Sequence, residues 1–143
     1  MLRPQIIPTA ILILLLSHHV HAVEIVVHRG DNGHAPENTL AAAQRCIDIG
    51  IEYLEFDVRR SKDGVHYVLH DPTVNRTTNG DGAIRSMTSE EVDALDAGTW
   101  FSEEFAGERV PRLAQFTAGG ATHRFKKQAD AVVVPPLPRL LDR

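Results

Sequence analysis

The pattern of apolar and polar residues after position 23 predicts a strand, a loop and a helix in that order. Residues 24–27 hold an isoleucine and two valines, which is typical of a short buried strand. Residues 31–38 are loop by composition, with a glycine and a proline. From residue 39 the sequence TLAAAQRCIDIG has apolar residues at helical spacing and a stop signal at Gly50. The pattern therefore predicts a βα unit.

A different pattern, strict alternation, begins after this unit. The acids Glu55 and Asp57 fall on one face of the predicted strand and apolar residues fall on the other. The turn signal SKDG at 61–64 leads to a second strand-like run at 65–69. A connection this short requires an antiparallel return. A hairpin centred on this turn places His70 opposite Glu55, within a residue or two.

An irregular segment at about residues 71–105, which we call the excursion, follows the hairpin. Residues 71–82 are rich in Asn, Asp, Gly and Thr, and the capping-box sequence TSEE at 88–91 predicts the start of a short helix. Three aromatic residues come next, namely Trp100, Phe101 and Phe105. We expect them to pack the excursion onto the main body, with an exposed binding patch as the alternative. Paired glycines, three prolines and the lack of an amphipathic stripe predict an irregular tail over 117–143.

The first 22 residues have the pattern of an export signal. Arg3 supplies a charged start, residues 6–16 are mostly apolar, and the Val-His-Ala sequence ending at Ala22 suits signal peptidase. The apolar run of about 11 residues is shorter than the roughly 20 that cross a bilayer. We therefore expect a signal peptide over 1–22 that is cleaved after Ala22, with an uncleaved anchor as the alternative. The mature chain is then exported, periplasmic or secreted, and has no stable membrane span.

Composition limits what residues 23–143 can be. They suffice for one small domain but are few for a large barrel. The formal net charge is −4 and the Lys and Arg residues form no basic patch, which argues against a nucleic-acid partner. The single cysteine, Cys46, excludes an internal disulfide, and its helical apolar surroundings favour a buried residue over a reactive thiol. The sequence leaves the oligomeric state open.

The acids of the alternating strand are candidate metal ligands. Glu55 and Asp57 lie two residues apart on one face, so both can direct oxygens at one hard cation such as Ca²⁺ or Mg²⁺. An oxygen-only set argues against zinc. The alternative is an exposed strand face with ordinary surface acids.

Two histidines and an arginine complete the candidate chemistry. Histidine is the side chain best suited to act as base and acid in turn near neutral pH, which makes His28 and His70 candidates, although either histidine alone is more often structural. Arg29 offers a planar fork for phosphate oxygens, or a surface ion pair. Glu37 either completes the metal site or holds Arg29 or Asn38 in place, and we favour the supporting role.

Four short motifs occur in an order that characterises a known family. They are HRG at 28–30, PENT at 36–39, a Glu-x-Asp pair at 55–57 and His-Asp at 70–71. This ordered set, which extends through the excursion to about Leu113, resembles the glycerophosphodiester phosphodiesterase family. The resemblance implies roles for five residues: His28 and His70 as the acid/base pair, Glu55 and Asp57 as metal ligands, and Arg29 as the phosphate contact. It also implies that the excursion, at about 71–105, is the small insertion of the family, which helps to recognise the glycerol moiety.

The fold that the resemblance implies is a (β/α)₈ barrel, which usually takes about 250 residues and carries its active site at the C-terminal ends of its strands. Residues 23–116 match only the N-terminal part of such a barrel. We therefore expect an α/β fold, an incomplete TIM-type barrel with the family insertion. The family next supplies a strand with another metal-binding glutamate and a lysine, and neither is visible after Phe116. We expect a chain that is truncated or frame-shifted from about this residue.

Three functions follow from these features. The first is an exported hydrolase that converts a small-molecule glycerophosphodiester to glycerol 3-phosphate and an alcohol, with a divalent cation, Ca²⁺ or Mg²⁺. The second is a catalytically inactive fragment that at most binds phosphate or metal weakly. The third is a phospholipase D-type phosphodiesterase on the same barrel, against which the PENT loop and the insertion argue.

Overall fold

The computed structural model describes residues 25–51, 53–117, 126–128 and 131–134. The predicted signal peptide lies outside these residues. In chain order, the elements are the strand β1 (Val26–His28), the helix α1 (Leu40–Asp48), the strands β2 (Tyr53–Arg60) and β3 (His66–Val68), a 3₁₀ turn (Ile84–Ser86), the helix α2 (Ser89–Asp93), a second 3₁₀ turn (Glu103–Phe105), the helix α3 (Leu113–Thr117) and the strands β4 (Lys126–Gln128) and β5 (Ala131–Val134).

The predicted βα unit is present and leads into a parallel strand. β1 pairs with β2 in parallel, with His28 opposite Glu55. The connecting helix α1 begins at Thr39, whose side chain accepts a hydrogen bond from the backbone N–H of Ala42. Its inner face is buried and includes Cys46, which is 2% exposed. The predicted helix and the predicted burial of this cysteine are both confirmed.

The β2–β3 hairpin is antiparallel as predicted, but its register differs from the prediction by one residue. Val58 pairs with Val68, so a continued ladder would place His70 opposite Phe56 rather than opposite Glu55. The cause is the loop: Ser61 and Val65 bond across it, which leaves three loop residues instead of two, with the third, Gly64, at φ +92°. A three-residue hairpin loop with a left-handed glycine shifts the partner of every residue by one.

Two buried clusters lie on opposite sides of β3. The first packs α1 against β2 and α3: Ala43, Cys46, Leu54, Phe56, Val68 and Phe116. The second forms the core of the excursion: Tyr67, Leu69, Val74, Ile84, Val92, Leu95, Ala97 and Val110. Alternation along the strand explains the division, because neighbouring side chains point to opposite faces. The excursion therefore has a core of its own that is joined to the main body through β3.

The excursion confirms one prediction and corrects another. The capping box at Thr88 and Glu91 is present at the start of α2. The three aromatic residues instead stack edge-on against one another: Trp100 on Phe101 and Phe101 on Phe105, each pair at 5.7 Å between ring centres. Trp100 is 40% exposed and none of the three belongs to either buried cluster. The expectation that they pack the excursion onto the main body is therefore wrong.

Two segments of the tail differ from the predicted irregular structure. β4 and β5 pair with each other, and β5 runs antiparallel to β2 with Glu55 opposite Val133. The signal in the sequence is the run of three valines in Ala131–Val134, since valine has a high strand propensity. Separately, within the described parts of the chain, no helix has the length and apolar character that crossing a membrane requires.

Candidate active site

The C-terminal ends of the two parallel strands bring the first candidate residues together. Because His28 is the register partner of Glu55, their side chains share a face of the sheet. His28 Nε2 lies 3.9 Å from Glu55 Oε2. The imidazole is 63% exposed, whereas the glutamate side chain is only 13% exposed. An accessible histidine thus stands beside a largely buried carboxylate.

A left-handed turn follows β1 and fixes the backbone at Arg29. Arg29 has φ +58° and Gly30 has φ +82°, and a non-glycine residue in this region costs about 1–3 kcal/mol unless its surroundings hold it there. The backbone N–H of Arg29 is shared between the carbonyl oxygen of Glu55 at 2.9 Å and its Oε2 at 3.1 Å. The strained turn therefore fastens the HRG motif to the carboxylate of the neighbouring strand.

The Arg29 side chain lies between two carboxylates. Its Nη1 donates to Glu37 Oε1 at 3.1 Å, and its Nε lies 3.5 Å from Asp57 Oδ2. The same Asp57 oxygen accepts a hydrogen bond from Asn38 Nδ2 at 3.3 Å. Asn38 also has a left-handed backbone, with φ +58°, and its N–H bonds to the carbonyl oxygen of Arg29. The HRG and PENT segments are thus joined through backbone and side chains.

Arg76, in the excursion, links the PENT loop to the second histidine segment. It donates to both oxygens of Glu37, at 2.7 and 2.9 Å, and to both oxygens of Asp71, at 2.7 and 3.2 Å. Burial alone would raise the pKa of Glu37, but the hydrogen bonds and charges of Arg76 and Arg29 outweigh it and lower that pKa. The hydrogen bonds from Arg76 hold the pKa of Asp71 well below its usual range, against the smaller effect of burial. Both carboxylates are therefore ionised near neutral pH.

His70 is held at both its backbone and its ring. Its Nδ1 lies 2.6 Å from Asp71 Oδ1, and its carbonyl oxygen accepts hydrogen bonds from the Arg59 guanidinium. An ionised carboxylate is only an acceptor, so in the neutral imidazole the proton sits on Nδ1 and the lone pair on Nε2. The ring is 39% exposed, which leaves this nitrogen available for proton transfer.

The contacts connect all seven residues that the sequence singles out. Five of them, His28, Glu55, Asp57, Asn38 and Glu37, are linked directly to Arg29 or to its partners. Among the described side-chain contacts, His70 joins them through Asp71 and Arg76. When continued past β3, the hairpin register places His70 opposite Phe56, one residue from the predicted partner Glu55 and within the residue or two that the prediction allowed. Side-chain contacts from His28 through Glu55, Arg29, Glu37, Arg76 and Asp71 to His70 form what we call the ion-pair chain. It adds to the backbone pairing of the hairpin, in which the Leu69 N–H bonds to the carbonyl oxygen of Asp57.

Glu55 and Asp57 supply the carboxylate oxygens that a hard cation prefers, but two side chains are too few to complete its coordination. Among the described residues, no group of three or more His, Cys, Asp or Glu side chains is arranged to hold a metal ion. The described hydrogen bonds of the two acids use Glu55 Oε2 and Asp57 Oδ2, so one oxygen of each acid remains. Nearby, Asn38 Oδ1 is buried without a hydrogen-bond partner among the described residues. Oxygen donors of this type suit Ca²⁺ or Mg²⁺, which also accept water and substrate oxygens.

Arg76 is the residue that the sequence reasoning missed. It lies in the run NRTTNGDG, whose composition predicts only an irregular loop. Its partner Glu37 is 39 residues away along the chain, so no local spacing predicts the pair. The one available signal was a lone arginine in a loop that follows directly on the His-Asp motif.

The residues of the site fall within a region that matches a known protein family. The model of the glycerophosphoryl diester phosphodiesterase family matches residues 28–135, which is most of the chain. The chain belongs to this family. The matched range includes every residue of the ion-pair chain described above. The motif-based resemblance to these phosphodiesterases is therefore confirmed.

Curated members of the family match the same part of the chain. A glycerophosphodiester phosphodiesterase from Caldanaerobacter subterraneus is 51% identical over 89 residues, which are 62% of this chain and 37% of that protein. One from Bacillus subtilis is 34% identical over 113 residues, or 73% of this chain and 37% of that protein. The chain thus spans little more than a third of the length of these relatives.

Solved structures of the family confirm the fold. The glycerophosphodiester phosphodiesterase from Agrobacterium tumefaciens superposes with a TM-score of 0.65 and 54% identity, covering 66% of this chain and 41% of that one. A phosphodiesterase from Oleispira antarctica, solved in complex with the product sn-glycerol-3-phosphate, gives a TM-score of 0.62 and 42% identity, covering 64% of this chain and 37% of that one. The predicted fold class, an incomplete (β/α)₈ barrel with an insertion, is confirmed, and the site lies at the strand ends where such barrels carry their chemistry.

Proposed function

We propose that the chain carries the first part of a phosphodiester-hydrolysing site, which converts glycerophosphodiesters to glycerol 3-phosphate and an alcohol. The observation that carries this proposal is the convergence of His28, Arg29 and Glu55 at the ends of two parallel strands, within a family of phosphodiesterases. The complex of the Oleispira antarctica phosphodiesterase with sn-glycerol-3-phosphate supports the substrate class.

The two histidines are the proposed proton-transfer groups. Hydrolysis forms a new P–O bond to the attacking oxygen and breaks the P–O bond to the leaving alcohol. In net hydrolysis the attacking oxygen comes from water. One imidazole takes a proton from this water, and the other gives a proton to the leaving alcohol oxygen. The exposed ring of His28 and the Nε2 of His70, left free by the bond of Nδ1 to Asp71, are suited to these roles. The histidine on the side of the attacking oxygen acts as the base, and the histidine on the side of the leaving oxygen acts as the acid.

Arg29 is the proposed contact to the phosphate. Its Nη1 and Nε face Glu37 and Asp57, and Nη2 takes part in none of the contacts described above. A guanidinium held by two carboxylates loses little freedom when it binds a further anion, and its planar fork suits phosphate oxygens. The strained turn at Arg29 positions this group before substrate arrives.

Glu55 and Asp57 are the proposed ligands of a divalent cation, either Ca²⁺ or Mg²⁺. A bound cation would offset negative charge on the phosphate as a Lewis acid. The two acids already lie on one face of β2, two residues apart, and each keeps one oxygen outside the described hydrogen bonds. Water and substrate oxygens are needed to complete the coordination, because two carboxylates fall short of the six or more oxygens that Ca²⁺ takes.

Release of glycerol 3-phosphate from glycerophosphocholine by the purified full chain tests the proposal. We expect turnover that requires a divalent cation, is abolished by chelation, and falls by at least about 100-fold in His28→Ala. His66→Ala is the matched control, since His66 is an exposed histidine on β3 outside the ion-pair chain. Equal loss in both variants, or turnover unaffected by His28→Ala, would contradict the assignment.

A second candidate function is binding of phosphate and cation without turnover. The observation that favours it is the small number of metal-binding side chains, because the described residues hold no group of three or more that suits a metal ion. In that case the wild-type chain binds sn-glycerol 3-phosphate in the presence of Ca²⁺ or Mg²⁺ but releases no product from glycerophosphocholine. The two measurements together separate this function from the first.

A further inference from the structure

Arg76 lies beside the site and has no role in the proposed proton transfer, phosphate binding or cation binding. Its guanidinium makes four hydrogen bonds to two carboxylates that come from different parts of the chain. Glu37 belongs to the loop between β1 and α1, and Asp71 follows β3. Their side chains are only 11% and 24% exposed. Bonds to both oxygens of each partner fix the orientation of both carboxylates, which a single contact would not do.

One branch of these contacts leads to His70. Asp71 uses Oδ1 for both Arg76 and the His70 ring, so the position of this oxygen decides where the Nδ1 proton points. Removal of the guanidinium would free the Asp71 carboxylate to rotate. The imidazole would then lose the acceptor that selects the Nδ1–H tautomer.

The other branch leads to Arg29. Glu37 Oε1 accepts from Arg76 Nη2 at 2.7 Å and from Arg29 Nη1 at 3.1 Å. The two guanidinium groups therefore share one carboxylate, which agrees with a supporting role for Glu37. Glu37 Oε1 thus connects Arg76 of the excursion to Arg29, the proposed phosphate contact.

We propose that Arg76 is a positioning residue that orients both ends of the site at once, namely Asp71 with His70 and Glu37 with Arg29. The proposal rests on the proposed function for the roles of His70 and Arg29, but not for their geometry. The excursion thus contributes to the chemistry through one side chain that reaches across to the PENT loop.

The test compares Arg76→Gln with Arg85→Gln, a matched control at an exposed arginine of the same excursion for which no hydrogen bond is described. The first readout is the tautomer of the neutral His70 ring, measured by long-range proton–nitrogen NMR. We expect the Nδ1–H form in the wild type and in Arg85→Gln, and a mixture of tautomers in Arg76→Gln. A pure Nδ1–H form in a folded Arg76→Gln variant would overturn the proposal.

The second readout is kinetic and uses Arg76→Lys as the conservative variant. Loss of an outer-shell support costs about 10- to 100-fold in kcat/KM. We expect a lower kcat because His70 loses its fixed tautomer, and a higher KM because Arg29 loses part of its support. Lysine keeps the charge but not the fork, so it should restore only part of kcat. In the Asp71→Asn background, Arg76→Gln should remove only the support of Glu37 and Arg29, so the combined loss should be smaller than the sum of the two single losses in free energy. Fully additive losses would refute the route through Asp71.

The two proposals fail in different ways. A wild-type chain without turnover contradicts hydrolysis, but the tautomer of His70 still decides the role of Arg76. Should Arg76→Gln fail to fold, the tautomer and kcat in Arg76→Lys decide instead. Wild-type behaviour of that variant in both respects would show that the fork is not needed and would overturn the proposal.

Discussion

Gly30→Ala is a direct test of the turn that positions Arg29. A Cβ at Gly30 would lie 2.7 Å from Ala42 Cβ and 3.1 Å from the Ala42 carbonyl carbon. Carbon atoms pack best at about 3.5–4.0 Å, so the overlap approaches 1 Å. Since Ala42 is fully buried in the first turns of α1, relief requires the helix or the turn to move. Either movement would lengthen the bond between Arg29 N–H and Glu55.

Gly50→Ala is the control that separates the steric overlap at Gly30 from the cost of placing alanine in a left-handed backbone conformation. Gly50 has φ +75°, close to the +82° of Gly30, but a Cβ there meets nothing within 4 Å. Both variants bear the left-handed penalty of about 1–2 kcal/mol and the same gain from a stiffer unfolded chain. The overlap is present only in Gly30→Ala, and overpacking of this kind costs about 1–3 kcal/mol.

Urea denaturation of the full chain, followed by circular dichroism, measures the difference. We expect Gly30→Ala to unfold with a free energy about 1–3 kcal/mol below that of Gly50→Ala, at an unchanged m value. Equal stability of the two variants within about 0.5 kcal/mol would refute the close approach of Gly30 to α1.

Two further predictions concern the buried clusters. Phe116→Ala removes a ring whose centre lies 5.0 Å from that of Phe56 and should cost about 3–5 kcal/mol in urea denaturation, so a loss below about 1 kcal/mol would contradict the packing of α3. Burial, followed by the bond to Asp93, raises the pKa of Tyr67 from 10.0 to about 12, so the stability from its neutral phenol is complete below pH 10 and is lost as pH rises toward 12. Between pH 10 and pH 12 the free energy of unfolding of the wild type should fall by roughly 2–3 kcal/mol more than that of Tyr67→Phe. Parallel curves of unfolding free energy against pH would contradict the raised pKa.

The sequence predicts the elements that depend on local signals. The alternation that puts Glu55 and Asp57 on one face, the helix that begins at Thr39 and the capping box at Thr88 all appear as expected. Each is set by residues within a few positions of one another, so periodicity and capping preferences suffice.

The features that the sequence missed depend on turn geometry or on long-range contacts. Asp-Gly in SKDG favours a two-residue hairpin turn, yet the glycine at 64 adopts the left-handed position of a three-residue loop, and one residue of register follows from that choice. Arg76 meets Glu37 only after the excursion has folded onto the PENT loop. No composition or spacing rule reports such a contact.

The central claim is that one site unites the ends of the two parallel strands with the His-Asp segment. Titration of the full chain with sn-glycerol 3-phosphate, with and without Mg²⁺ or Ca²⁺, tests it most directly when followed by NMR of backbone amides and histidine rings. We predict cation-dependent shifts that are largest at His28, Arg29 and His70, and that saturate together with one dissociation constant. Shifts confined to one of the two segments, or shifts elsewhere with these three residues unchanged, would contradict a shared phosphodiester site.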